Sequence, residues 1–319
     1  MRRDVITLHN QLARWLGNSA GTWTGWVPVT AGPGVRAGSG AGDRELAARE
    51  VKPLQQTVDR GKWAVVLGAS SGFGAEIARE LARSGWNICG VHLDRKSALA
   101  GVQALISQIE ATGRRALFHN VNAANAEQRA KVVEGLHSAV GAGSGGVGVL
   151  VHSLAFGTLR PFIGSEGDRV TEAQMEMTLA VMAHSLVYWT QDLVAAGLLG
   201  PGARVFAMTS SGGHRVIPAY GAVSAAKAAL ESHCRQLAFE LAPRRIAVNA
   251  VRAGVTETPA LQKIPGHQQL IEGARLHNPS GRLTTPEDVA RAIAALCDPR
   301  TAWITGNVIG VDGGEDIVG

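Results

Sequence analysis

Residues 63–85 read WAVVLGASSGFGAEIARELARSG. The opening apolar run, Trp63 to Leu67, predicts a short strand buried on both faces. Glycines follow at Gly68, Gly72 and Gly74 in the spacing G-x3-G-x-G, and then Ile77, Ala78 and Leu81 recur as one face of a helix. A glycine motif gains meaning in this strand–turn–helix context. Gly68 permits the tight turn, Gly72 lets backbone approach a pyrophosphate, and Gly74 lets helix and strand pack closely. The helix start adds unpaired N–H groups and the positive end of a dipole. Ser70, Ser71 and Phe73 complete the turn. The stretch predicts the first unit of a nucleotide-binding α/β sheet.

Outward from this turn, strands and helices alternate. A second strand, 87–93, ends in His92-Leu93-Asp94-Arg95-Lys96. An acidic residue here suits the ribose hydroxyls of NADH, whereas basic residues accept a 2′-phosphate. His92 and Arg95 are the candidate readers, and the pair Arg95 and Lys96 favours NADPH, with NADH still open. A helix over 98–111 precedes a third strand, whose end, Asn120-Val121, borders an adenine pocket. A helix over 128–140 leads to a fourth strand, 147–152, which opens into Ser153, Leu154 and Ala155. Strand ends collect at the ligand crevice of such a sheet, so these three line the cofactor. One long helix is predicted over 171–196. A strand over 246–251 ends in Gly254, Val255, Thr256 and Thr258, placed to hold a carboxamide or phosphate. Gly and Pro between 259 and 280 suggest a mobile lid. TTPEDVARAIAAL is a capped helix, with Thr285 as N-cap, Pro286 at the first position and Asp288 at the third. GNVIGVDGG supplies the last strand. The pattern predicts one doubly wound parallel α/β sheet with helices on both faces, a single catalytic domain over 61–319.

The chemistry is concentrated in residues 203–230, ARVFAMTSSGGHRVIPAYGAVSAAKAAL. Val205 to Met208 form a buried strand that ends near Ser210, and Pro218 marks a helix start. Tyr220 and Lys227 are seven positions apart, which puts them about 20° apart on one helix face, with an axial offset of roughly 10 Å. A phenol, an ammonium and a serine together suit acid catalysis. The ammonium is expected to lower the phenol pKa toward working pH. An amphipathic helix with one exposed Lys and one half-buried Tyr gives the same local pattern, and the rest of the chain decides between the two.

Composition narrows the class. Of the net charge of +5, residues 1–60 carry eight Lys/Arg against five Asp/Glu, and the remainder 23 against 21. A near-neutral body gives no support for nucleic-acid binding. Cys89, Cys234 and Cys297 are widely spaced, without metal-ligand spacing, and read as reduced thiols of a cytoplasmic protein. No apolar run reaches membrane-spanning length. Residues 1–60 are Gly-rich and punctuated by Pro, an N-terminal extension expected to be flexible, with a short helix over 43–51. Trp15, Trp23 and Trp26 within it suggest docking on the body or a partner.

From 62 to the end the chain resembles the short-chain dehydrogenase/reductase family. The carriers are GASSGFG at 68–74, VHSLAFG at 151–157, Ser210, Tyr220 with Lys227, and VDGG at 311–314. Its commoner members place the Tyr four residues before the Lys, which here is Val223, and an Asn on the preceding helix, which here is Ala180. The longer Tyr–Lys gap and VHSLAFG are similar to the enoyl-[acyl-carrier-protein] reductases. The segments TETPALQKIP, NPSGRLTTPEDVA and ITGNVIGVDGG are similar to their NADPH-preferring branch. This resemblance implies a Rossmann-type sheet and hydride transfer to the β-carbon of an enoyl thioester in fatty-acid elongation. It implies Tyr220 as donor to the developing enolate and Lys227 on the nicotinamide ribose while tuning the Tyr. A homotetramer joined through the 171–196 and Tyr/Lys helices is implied too. So is an acidic acyl carrier protein as partner, with Arg215, Arg244 or Arg245 to dock it. A β-ketoacyl or carbonyl reductase with a shifted Tyr, where Ser210 has its usual place, is the alternative. A non-catalytic NADP-binding protein is the third reading, supported by the Trp-bearing extension.

Overall fold

The protein is described from a computed structural model, in which residues 61–141 and 146–318 are defined. The extension over 1–60, with its expected helix at 43–51, lies outside the described residues.

β1 (Trp63–Leu67) is buried at every position and sits near the middle of a seven-stranded sheet of order β3-β2-β1-β4-β5-β6-β7. The other strands are β2 (Asn87–His92), β3 (Ala116–Asn120), β4 (Val147–His152), β5 (Leu199–Ser210), β6 (Ala247–Ala253) and β7 (Val308–Val311). Every pairing is parallel. The direction of winding reverses between β1 and β4, and a crevice opens there at the carboxyl ends of the strands.

The two-residue period of the strands builds a core on each face. Val65, Leu67, Cys89, Leu150 and Val205 face one way. They pack on α3 (Ala126–Val140), α5 (Ser185–Ala195) and α6 (Gly221–Leu241) through Leu136, Leu186, Trp189 and Leu230. The indole of Trp189 donates to the Ala123 carbonyl at 2.9 Å, so this large ring is buried without an orphaned donor. Ala64, Val66, Ile88, Val149 and Phe206 face the other way. There they meet Ile77 and Leu81 of α1 (Gly72–Arg83), Leu105 and Ile109 of α2 (Leu99–Glu110), and Val289 and Ile293 of α8 (Pro286–Leu296). The α8 start forms as its sequence predicts, with the Thr285 and Asp288 side chains in a reciprocal capping box and Pro286 in the first turn. Among the described residues no helix is long and apolar enough to cross a membrane.

Two expectations are corrected. The helix over 171–196 runs without a break but is not α-helical throughout: α4 (Glu172–Leu179) and α5 are joined by a π-helical turn, Ala180–His184. Below that turn the Ser185 hydroxyl donates to the Val181 carbonyl at 2.7 Å and contacts His152 from β4. Helix α6 starts at Gly221 rather than Pro218, because Ala219 has φ +59°, which no right-handed helix accommodates. The 259–280 segment, the expected lid, holds a 3₁₀ turn Leu261–Lys263 and α7 (His267–His277), with Ile271 and Ala274 of α7 buried.

Candidate active site

The glycine turn has no room for side chains. A Cβ on Gly68 would lie 2.4 Å from the Ser153 carbonyl oxygen, and one on Gly74 would lie 2.0 Å from the Gly68 oxygen. Gly68 has φ +83° and Gly72 φ +54°, both in the left-handed region. Ser71 is the N-cap of α1 in extended conformation, and no side chain caps the helix start. Its first N–H groups remain for an outside anion. Phe73 and Ser70 flank the turn, half-buried. A Cβ on Gly72 would stand 3.5 Å from the Thr258 methyl, so the loop after β6 forms the opposite wall of the turn. This narrow backbone cradle fits a dinucleotide pyrophosphate.

The β2 tip is tied down locally. Buried His92 places Nδ1 2.8 Å from Asp94 Oδ2. The Asp94 N–H donates to Asn120 Oδ1 at 2.9 Å, and Asn120 Nδ2 donates back to the Asp94 carbonyl at 3.0 Å. The structure thus brings His92, Asp94 and Asn120 together, with Val121 bonded to the His92 carbonyl. Arg95 and Lys96 are exposed, and neither pairs with an acid among the described residues. Ser153 follows β4 into the crevice, its N–H donating to the carbonyl of Leu67 at the end of β1, at 2.9 Å. Leu154 is half-buried beside it and Ala155 is exposed. Thr256 and Thr258 are buried; the Thr256 hydroxyl donates to the Gly254 carbonyl, and the Thr258 hydroxyl accepts the Leu261 N–H.

Across the crevice, Ser210 ends β5 and its Oγ lies 3.4 Å from the Tyr220 hydroxyl. Tyr220 is the N-cap residue of α6, and its ring lies on the Gly212 backbone, where a Cβ would meet Cε1 at 2.5 Å. Lys227 is buried one face below and donates from Nζ to the Met208 carbonyl at 2.7 Å. Burial pushes this amine down to about 8. Burial raises the Tyr220 phenol, and the Ser210 hydroxyl beside it acts in the lowering direction. The expectation that Lys227 lowers the phenol is therefore corrected: desolvation dominates, and the ammonium is engaged with a backbone carbonyl. The phenol is a protonated donor at neutral pH.

Three further residues stand here, of which the sequence pattern singles out Val223 alone. His152 ends β4 with no exposed surface, its Nε2 2.8 Å from Ser185 Oγ. Since that hydroxyl donates to Val181, the imidazole Nε2–H is the donor. Burial, with Lys227 second, pushes His152 down to about 3, so the ring is neutral. Val223, in the vacated Tyr position, is buried; a Cβ on Gly157 would meet its Cγ2 at 2.6 Å. The Phe162 ring covers Gly221, where a Cβ would meet it at 2.5 Å. The sequence signal for the first of these is its place in VHSLAFG, straight before Ser153. Cys89, Cys234 and Cys297 are pushed up to about 12 by burial and supply no thiolate.

A doubly wound sheet with this glycine turn and a Ser–Tyr–Lys set across its crevice defines an NAD(P)H-dependent oxidoreductase. The chain belongs to the short-chain dehydrogenase/reductase family: residues 68–315 match the family model described as enoyl-(acyl carrier protein) reductase. An enoyl-[acyl-carrier-protein] reductase [NADH] of Aquifex aeolicus is 33% identical over 55% of this chain and 64% of its own length. An uncharacterized oxidoreductase of Methylorubrum extorquens is 33% identical over 80% of this chain and 97% of its own. The crystal structure of an enoyl-[acyl-carrier-protein] reductase (NADH) from Aquifex aeolicus superposes with a TM-score of 0.71 at 25% identity, covering 82% of this chain and 99% of that one.

Proposed function

We propose that the protein reduces the carbon–carbon double bond of a 2-enoyl thioester carried by an acyl carrier protein, as in fatty-acid elongation. One observation carries the reading: the phenol stands one turn beyond Val223, and Val223 is packed apolar against the 151–157 loop. A ketoreductase needs its acid on the oxygen of the very carbon that takes hydride, about 1.2 Å away. In an enoyl thioester the charge develops on the thioester oxygen, roughly 3–4 Å from the β-carbon. A donor moved outward along the helix follows that oxygen. When bound, the nicotinamide supplies the hydride.

In this reading Tyr220 donates a hydrogen bond to the developing enolate oxygen, and Ser210 orients the phenol. The enolate's α-carbon then takes a proton from solvent to complete the saturated thioester. Lys227, held by the Met208 carbonyl, binds the ribose hydroxyls. Gly68, Ser70, Ser71, Gly72, Phe73 and Gly74 hold the pyrophosphate, and Ser153 to Ala155 with Gly254 to Thr258 hold the remainder. NADPH is favoured over NADH: Asp94 already faces His92, while Arg95 and Lys96 are available to a 2′-phosphate. An apolar rim of Phe156, Phe162, Ile163 and Val216, all exposed, suits an acyl chain. Arg244 and Arg245, the candidate docking residues for the acidic carrier protein, follow α6 at its far end, about 30 Å from Tyr220 at 1.5 Å per residue. Arg215 is tied to Asp316. A homotetramer in the cytoplasm, with residues 1–60 as an appended extension to a 61–319 reductase domain, completes the proposal.

The Ser210–Tyr220 pair at 3.4 Å favours the second reading, a β-ketoacyl or carbonyl reductase. NADPH and NADH oxidation with crotonyl-CoA or an enoyl carrier protein, beside acetoacetyl-CoA, separates the two. The expected result is enoyl-dependent oxidation that Tyr220→Phe reduces by about 10²–10⁴-fold with cofactor binding retained. Oxidation with the ketoacyl substrate alone rejects the enoyl assignment.

A further inference from the structure

Directly after VDGG stand Glu315 and Asp316, and these two acids touch both walls of the crevice. Asp316 is approached by two guanidinium groups and an imidazole from two elements. Arg252 of β6 places Nη2 3.0 Å from Oδ2, while Arg215 Nε and His214 Nε2 lie 3.0 and 3.1 Å from Oδ1. Arg215 Nη2 also donates to the Asp316 carbonyl at 2.6 Å. His214 and Arg215 belong to the turn that leaves Ser210, since their N–H groups both donate to the Ser211 carbonyl, at 3.0 and 2.8 Å. That turn leads directly to Tyr220. Glu315 reaches the other wall: its carboxylate accepts the Val255 N–H at 3.0 and 3.2 Å. A Cβ on Gly254 would lie 2.9 Å from Glu315 Oε2. The Asp316 side chain is 12% exposed, and burial raises the Glu315 carboxyl, so neither acid is merely solvated.

We propose that Glu315 and Asp316 are positioning residues, Asp316 fixing the Ser210–Tyr220 loop and Glu315 fixing the Gly254–Thr258 loop. Adjacent in sequence, they also set the distance between the acid side and the nucleotide side. The proposal rests on the reading of those two loops given above. The partners of Asp316 hold a multiply bonded carboxylate in partial desolvation, where a charge-assisted network is stronger than an exposed pair.

The two deciding readouts need no acyl substrate. NADPH affinity is read by nucleotide fluorescence, and Tyr220 ionisation by ultraviolet difference titration, with Tyr220→Phe identifying its signal against Tyr188. Glu315→Ala is expected to weaken NADPH binding about tenfold and leave the Tyr220 titration in place, with Glu315→Gln, which keeps an acceptor for Val255, restoring most of the affinity. Asp316→Ala is expected to lower the Tyr220 midpoint as its burial loosens, with NADPH affinity within twofold and Asp316→Glu restoring the midpoint. In turnover, Asp316→Ala lowers kcat about tenfold on whichever thioester the wild type reduces. Both variants shifting both readouts together, in step with a fall in melting temperature, would mean a purely structural tail and overturn the proposal. So would no change in either. Absence of enoyl reduction by the wild type would reject the enoyl assignment and leave these two readouts standing.

Discussion

Ala219 shows how one residue sets the position of the acid. Its φ of +59° turns the chain immediately before Tyr220 and prevents α6 from starting earlier. A left-handed alanine costs roughly 1–2 kcal/mol relative to the right-handed region, and glycine escapes that cost at some loss through unfolded-state entropy. Ala219→Gly is therefore expected to raise stability by about 0.5–1 kcal/mol in urea unfolding. The same change widens the conformations open to the phenol, so kcat is expected to fall while stability rises. A variant both more stable and fully active would show that the turn plays no part in aiming Tyr220. Gly212 has the complementary role: its missing side chain is the space in which the Tyr220 ring lies.

At the scale of elements, the β1–turn–α1 unit is the most constrained part of the nucleotide side. A methyl on Gly74 would sit 2.0 Å from a backbone oxygen of the same turn, and backbone there has no free direction to yield. Gly74→Ala is expected to lose about 1–3 kcal/mol of stability and most NADPH affinity, because α1 must withdraw from the turn. Dye-monitored melting and nucleotide titration check both; unchanged affinity would mean that α1 does not face the pyrophosphate. This unit was legible from residues 63–85 because glycine spacing and apolar period are local signals. The α8 capping box was legible for the same reason. The π-helical turn at Ala180–His184 was not: no local period marks it, and Ser185, which follows it, meets His152 from a strand 33 residues earlier. The start of α6 was misplaced because Pro218 gives a helix-start signal that the backbone of Ala219 overrides. The Glu315 and Asp316 contacts join sequence positions far apart, and no periodicity announces them.

At the scale of the whole molecule, folding encloses two titratable groups side by side, Lys227 and His152, beneath the crevice. The parallel order was readable from strand–helix alternation, but the burial of His152 follows from β4 lying between β1 and β5, which only the sheet order shows. The consequence is a stability that depends on acid. His152 is held near pKa 3 in the folded protein against 6.5 in the unfolded chain, so below pH 6.5 the unfolded state binds the extra proton. Its contribution to stability is complete above 6.5 and is lost as pH falls toward the folded value, by at most about 1.4 kcal/mol per pH unit. Between pH 7 and pH 5 the loss amounts to about 2 kcal/mol, a figure insensitive to the folded pKa as long as it stays below about 4. His152→Gln removes the titrating group, so its unfolding free energy should fall by about 2 kcal/mol less over the same interval. Comparing the two intervals, rather than absolute stabilities, cancels the cavity left by the shorter side chain and the carboxylates that titrate in both proteins. Equal losses in wild type and variant would show that His152 accepts a proton inside the fold, and the neutral Nε2–H donor to Ser185 would have to be abandoned.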